Sequence, residues 1–288
     1  MHDATKEIAT ALANDVSGVS LIEESIKRTQ TPFGPAHFET NCGFKVRGNR
    51  IVGAEVAGGL NYTLFTDTGE ALRLDAPPAQ AASVLLKFKS GVGLVMPAIP
   101  GFIAAIEFDG SELVSVNYEP SDRSNRWLSY KNRLKEFRAL RGLITASARL
   151  GALTFKGSDA SELARQMQMT KNADPYMAVY AAYAYHQLGL STWMREMYQY
   201  QLNDLGFRFF DLALLTRELY RKHVSEEVDI YPGFPMLSQG WTLLSAYQVK
   251  LPKELIELRD HLVPSIWTLL DKSGIDIAAR AINSGILR

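Results

Sequence analysis

The chain is 288 residues long, 47% hydrophobic and 22% charged, which argues against disorder over most of its length and fits about two globular domains. Its 31 basic and 31 acidic side chains cancel, so the electrostatic footprint of a dedicated nucleic-acid binder is missing and nucleic acid is not an expected partner. Cys42 is the only cysteine, which rules out an intrachain disulfide and favours a reducing, cytoplasmic location.

The opening residues Met1 to Glu7 carry acidic groups with no apolar stretch behind them, unlike a secretory signal. Ile8, Leu12, Leu21, Ile22 and Ile26 recur at helical spacing, so residues 1–30 read as a helical arm that ends before Thr31-Pro32-Phe33-Gly34-Pro35. From His37 the period becomes two. Phe38, Thr40, Cys42, Phe44 and Val46 share one face, and Glu39, Asn41, Lys45 and Arg47 share the other. Gly48-Asn49 tolerates positive φ, which predicts that Ile51–Val56 folds back as a hairpin partner of this strand. Further strand-like runs stand at Asn61–Thr66, Ala71–Leu74, Ser83–Lys89, Phe102–Phe108 and Leu113–Tyr118, with turn signals and no helices between them. The longest apolar run, Val92 to Ile106, is broken by Pro97, Pro100 and several glycines and is too short to cross a bilayer, so no membrane association is expected. Residues 31–120 therefore predict an antiparallel β-sandwich or open barrel.

After Glu119-Pro120-Ser121-Asp122 the pattern turns helical. Leu134, Phe137, Leu140, Ile144 and Ala148 form one apolar stripe, opposed by Lys131, Lys135, Arg138 and Arg149. Further helices are predicted at about 159–171, 175–188, 192–205, 207–223, 236–249, 253–271 and 275–284, with Asp159 and Glu162 at capping-box spacing, Asp174-Pro175 as a start signal and Gly189 and Gly206 as C-terminal glycines. No internal period emerges, so residues 121–288 read as an irregular all-α helical array and the whole chain as α+β.

Candidate chemistry is sparse. Cys42 shares the apolar face of its strand and reads as an inert packing thiol, with His37 too far along an extended chain to act as its base. The histidines His2, His37, His186, His223 and His261 show no metal-ligand spacing, and neither a metal nor a cofactor is expected. Glu107 with Asp109 and Glu226-Glu227 read as solvated loop charges, and His186 as a polar residue at a helix end. Arg123, Arg126, Lys131, Arg133, Lys135, Arg138 and Arg141 form a basic run, broken only by Asp122 and Glu136, that reads as a solvated helix face, with a surface for an acidic protein or a phosphate backbone as the alternatives; Arg126, Lys131, Lys135 and Arg138 are the interaction candidates. Tyr176, Tyr180 and Tyr183, at i, i+4 and i+7, read either as interior packing or as a tyrosine-lined groove for a peptide. Arg217 and His223, separated by five residues, resemble the active-site motif of HEPN ribonucleases, in which the histidine would serve as base and the arginine would hold the phosphate. Glu218 departs from the motif, and basic residues in a last helical turn have their own explanation in the helix dipole.

Several phrases together carry a wider resemblance: His37-Phe38-Glu39-Thr40-Asn41-Cys42-Gly43-Phe44-Lys45-Val46-Arg47-Gly48, Pro100-Gly101-Phe102-Ile103-Ala104, Val116-Asn117-Tyr118-Glu119-Pro120, the Asp174 to Tyr185 stretch, Gln239-Gly240-Trp241-Thr242-Leu243-Leu244 and Pro264-Ser265-Ile266-Trp267-Thr268-Leu269. They resemble the non-peptidase C-terminal region of some bacterial caspase-like proteins and related multidomain signalling or defence proteins, over roughly residues 37 to 270. The chain lacks the His-Gly and Gln-Ala-Cys segments of a caspase-like peptidase. The resemblance implies an accessory module with no catalytic residue; the expectation is a non-enzymatic protein that meets a protein partner, with a HEPN-like ribonuclease using Arg217 and His223 as the alternative.

Overall fold

A computed structural model describes residues 41–65, 69–149, 160–221 and 231–288, with positions 20, 23–25, 27 and 153 besides. The predicted N-terminal arm falls largely outside the described residues, as do His2, His37, His223, Asp159 and Glu226-Glu227.

Ten strands form two open five-stranded sheets among the described residues: β1 Cys42–Arg47, β2 Ile51–Val56, β3 Tyr62–Leu64, β4 Ala71–Leu74, β5 Ala82–Phe88, β6 Gly93–Ala98, β7 Phe102–Asp109, β8 Glu112–Pro120, β9 Leu262–Val263 and β10 Leu269–Leu270. One sheet has the order β3-β4-β1-β7-β8, the other β2-β5-β6-β10-β9. All pairs are antiparallel except β1 with β7, which run parallel with Phe44 opposite Ala104. This exception corrects the purely antiparallel expectation. The chain leaves one sheet after β1, builds β2, returns for β3 and β4, and crosses again for β5 and β6 before β7, so a parallel neighbour arises without a crossover helix.

The predicted β1–β2 hairpin is likewise overturned, because β2 pairs with β5 in the opposite sheet. Both edges of β1 are taken by β4 and β7, so Gly48 makes a corner between sheets rather than a reversal. Its φ is 78°, and a Cβ there would lie 2.1 Å from the Phe108 carbonyl oxygen, which only glycine avoids. Period-two faces do hold. Cys42, Phe44 and Val46 enter the core with Leu72, Val84, Leu86, Phe88, Met96, Ala104 and Ile106. On the other face of β1, Lys45 reaches Glu119 and Arg47 reaches Glu107, each at 2.5 Å. Glu107 is thus a buried ion-pair partner on β7, not a loop charge.

Among the described residues ten α-helices follow the strand-rich half in chain order: α1 Trp127–Asn132, α2 Leu134–Arg149, α3 Ala160–Thr170, α4 Tyr176–Gln187, α5 Ser191–Leu205, α6 Phe210–Leu215, α7 Glu218–Arg221, α8 Ser238–Ala246, α9 Lys253–Glu257 and α10 Lys272–Asn283. Two predicted helices break. The one over 207–223 divides into α6 and α7 at Thr216-Arg217, and the one over 253–271 gives only α9, a 3-10 turn and the two short strands β9 and β10. Those strands pair with each other and extend the sheet past β6, itself absent from the sequence expectation because Pro97 and glycines mask its pattern. Pro97 lies beyond the segment of β6 that β10 covers, where a missing N–H leaves no ladder bond unmade. Region 121–288 is therefore not all-α, and it completes the sheet begun by the strand-rich half. That sheet is buried on both faces: Leu85 and Val95 turn outward into a second core with Phe210, Leu214, Phe234, Trp241, Ile277 and Ala278. A Cβ on Gly93 would stand 2.5 Å from Ile275, which measures how closely α10 lies on β6.

Candidate functional site

Helix α4 is apolar all round, and its alanines admit neighbours on every side. Tyr176, Tyr180 and Tyr183 are 0%, 0% and 1% exposed. They are interior side chains, and the expected interaction surface through them is corrected accordingly. Their hydroxyls mostly tie the helix to other layers. Tyr180 donates to the Val116 carbonyl at 2.9 Å and accepts the Trp267 indole N–H at 3.0 Å. Tyr183 donates to Asp211 Oδ1 at 2.7 Å, and Tyr185 to Gln168 Oε1 at 2.6 Å.

Two buried acids organise this interior. Asp174, just ahead of α4, accepts the Tyr176 and Tyr118 N–H groups on Oδ1 and two guanidinium N–H groups of Arg141 on Oδ2, at 2.8 to 3.2 Å. Arg141 also donates to the Tyr118 carbonyl at 2.7 Å and to the Tyr130 hydroxyl at 2.9 Å, with Glu119 Oε1 3.6 Å away. Burial works against the Arg141 charge, but Tyr130, Asp174 and Glu119 together raise its pKa above the ordinary value. Burial also raises the Asp174 pKa against the pull of Arg141. Four donated hydrogen bonds on one carboxylate make the ion pair the form we favour. Glu119 is held below its ordinary pKa: burial opposes this, and Lys45 and Arg141 overcome it. Asp211 has no such cation beside it among the described residues. It accepts Tyr183 Oη and the Met236 N–H, and burial pushes its pKa up to about 6. Asp174 fastens the sheet to α2 and α4, and Asp211 fastens α6 to α4 and to the segment at Met236, both sealed from solvent.

The basic run divides by function. Arg141 is interior. Arg126 donates to the carbonyls of Asn172, at 2.8 Å, and Asp204, and stacks over Phe102. Arg133 binds Glu136 and the Met169 carbonyl. The arginines on either side of α1 thus clamp it onto the α3–α4 turn and the end of α5. Lys131, Lys135 and Arg123 are exposed, and Arg138 is half-buried. Leu128 on α1 and Met169 at the end of α3 are 67% and 60% exposed.

Arg217 does not sit mid-helix. It follows the last turn of α6 at φ 63°, with its guanidinium carbon 4.7 Å from the centre of the Tyr247 ring. His223, its expected catalytic partner, lies outside the described residues. The histidine that does approach Arg217 is His186, whose Nε2 is 2.7 Å from the Tyr247 hydroxyl. No local signal in the sequence joins these three residues, which are 61 positions apart at the widest. Cys42 is buried, and burial pushes its thiol up to about 12, as expected of a packing cysteine. Among the described residues no group of three or more His, Cys, Asp or Glu side chains is placed to hold a metal ion, and no helix is long and apolar enough to cross a membrane. No protein-family model, no curated protein and no solved structure matches this chain.

Proposed function

We propose that the chain is a non-enzymatic, accessory protein-interaction module that receives an acidic partner segment at the end built by α1, the α3–α4 turn and α5. The observation that carries this reading is the exposure of Leu128 and Met169, 67% and 60%, beside the exposed cations Arg123, Lys131 and Lys135. Apolar anchors with exposed arginine and lysine nearby favour a partner that pairs an apolar side chain with Asp or Glu. The clamps of Arg126 and Arg133 hold that end rigid, so little conformational entropy is lost on binding.

The test is selection of displayed peptides on the full chain, followed by affinity measurement on variants. Selected peptides should be rich in acidic and apolar residues and should bind Leu128→Asp/Lys131→Glu about tenfold or more weakly, the scale of losing an anchor. Val52→Asp, at an exposed apolar position on β2, should leave binding unchanged. Equal binding to Leu128→Asp/Lys131→Glu would refute the site. RNA binding that weakens steeply with salt and disappears in Lys131→Glu/Lys135→Glu would replace the protein partner with a nucleic acid.

A further inference from the structure

The ends of α4 and α8 and the link between α6 and α7 converge on His186, Tyr247 and Arg217. One aromatic ring holds the other two side chains: its hydroxyl is 2.7 Å from His186 Nε2, and its face carries the Arg217 guanidinium at 4.7 Å. Arg217 is exposed, with no hydrogen bond to its guanidinium among the described residues, while His186 and Tyr247 are half-buried. The backbone is unusual at the same place. Arg217 and Gln248 are the non-glycine residues at positive φ among those described, at 63° and 52°; one carries the guanidinium and the other follows Tyr247. At the ends of α4, α5 and α10 the same left-handed position is filled by Gly189, Gly206 and Gly285. Left-handed arginine and glutamine are strained relative to glycine, and strain of this kind collects where a side chain is needed in a fixed place.

We propose that Arg217, His186 and Tyr247 form a binding site for the oxyanion group, phosphate or carboxylate, of a small ligand. The guanidinium presents a planar fork of donors that matches either group, and stacking on Tyr247 fixes its plane before the ligand arrives. Among the described residues, Arg217 from the α6–α7 link and Tyr247 at the C-terminal end of α8 are the charged and titratable groups shown to act on His186. Burial and the Arg217 charge keep the imidazole below its ordinary pKa. An anion on Arg217 offsets that charge and lets His186 take up a proton, so the site binds more tightly as pH falls through the imidazole range.

Sulfate, which does not titrate in this range, is the primary probe, added to the full chain while the His186 ring resonances are followed by NMR, with phosphate and acetate as parallel arms. Sulfate should bind saturably and shift His186, with affinity rising several-fold from pH 7.5 to 5.5. Arg217→Gly removes the guanidinium and relieves the left-handed backbone, so it should fold with an unchanged or raised Tm yet bind about tenfold more weakly. His186→Gln should bind with no pH dependence across the same range. The tighter of phosphate and acetate identifies the ligand group. Absence of saturable binding by all three anions, or wild-type affinity in Arg217→Gly, would overturn the proposal.

Discussion

Replacing Arg141 with methionine tests whether the fold depends on the buried ion pair between α2 and the start of α4. The guanidinium makes two hydrogen bonds to Asp174, one to the Tyr118 carbonyl and one to Tyr130 Oη, and its carbon lies 5.5 and 5.7 Å from the Tyr130 and Phe137 ring centres. Methionine fills much of the space and keeps the apolar contact, but it leaves the Asp174 carboxylate buried with only backbone donors. Breaking one partner of such a pair costs about 3–5 kcal/mol. Against a total stability of about 5–15 kcal/mol, that is a large fraction, and at about 2–4 °C per kcal/mol it lowers Tm by roughly 10 °C. Urea and thermal unfolding followed by circular dichroism read the change. Arg141→Met/Asp174→Asn should recover part of the loss, because the uncompensated charge is then gone. An Arg141→Met protein within about 1 kcal/mol of wild type would show that the pair is not a principal fastening between sheet and helices.

Three further outcomes follow from the interior. Asp211 has its folded pKa raised to about 6, so between about pH 4 and 6 the unfolded chain has lost a proton that the folded chain keeps. Stability from this group is therefore greatest below pH 4 and falls as pH rises to 6, by about 3 kcal/mol in all; Asp211→Asn should flatten that part of the stability–pH curve, and an unchanged slope would count against the assignment. Tyr180→Phe leaves the buried Trp267 indole N–H and the Val116 carbonyl without their partner and should cost about 2 kcal/mol in urea unfolding. The Cys42 thiol, buried and raised to about 12, should resist thiol reagents at pH 8 in the native protein and react at once in denaturant; rapid native labelling would contradict its burial.

Residue pattern alone determined the α+β class, the faces of β1, the start of α4 at Asp174-Pro175 and the helix ends at Gly189 and Gly206, all local properties set by side-chain alternation or backbone permission. Tertiary structure decided which edges meet. A turn at Gly48 is compatible with either a hairpin or a corner, and the capture of both β1 edges by β4 and β7 selects the corner. Leu262–Val263 and Leu269–Leu270 are too short to show a strand period, and they become strands because β6 leaves an edge to be covered. The charged groups divide for the same reason. Arg141, Lys131 and Lys135 read alike in sequence, but only Arg141 faces Asp174 across a packed interface, and desolvation turns that one charge into a structural tie. The cluster of His186, Arg217 and Tyr247 exists only where three helix ends meet, so no spacing along the chain announces it.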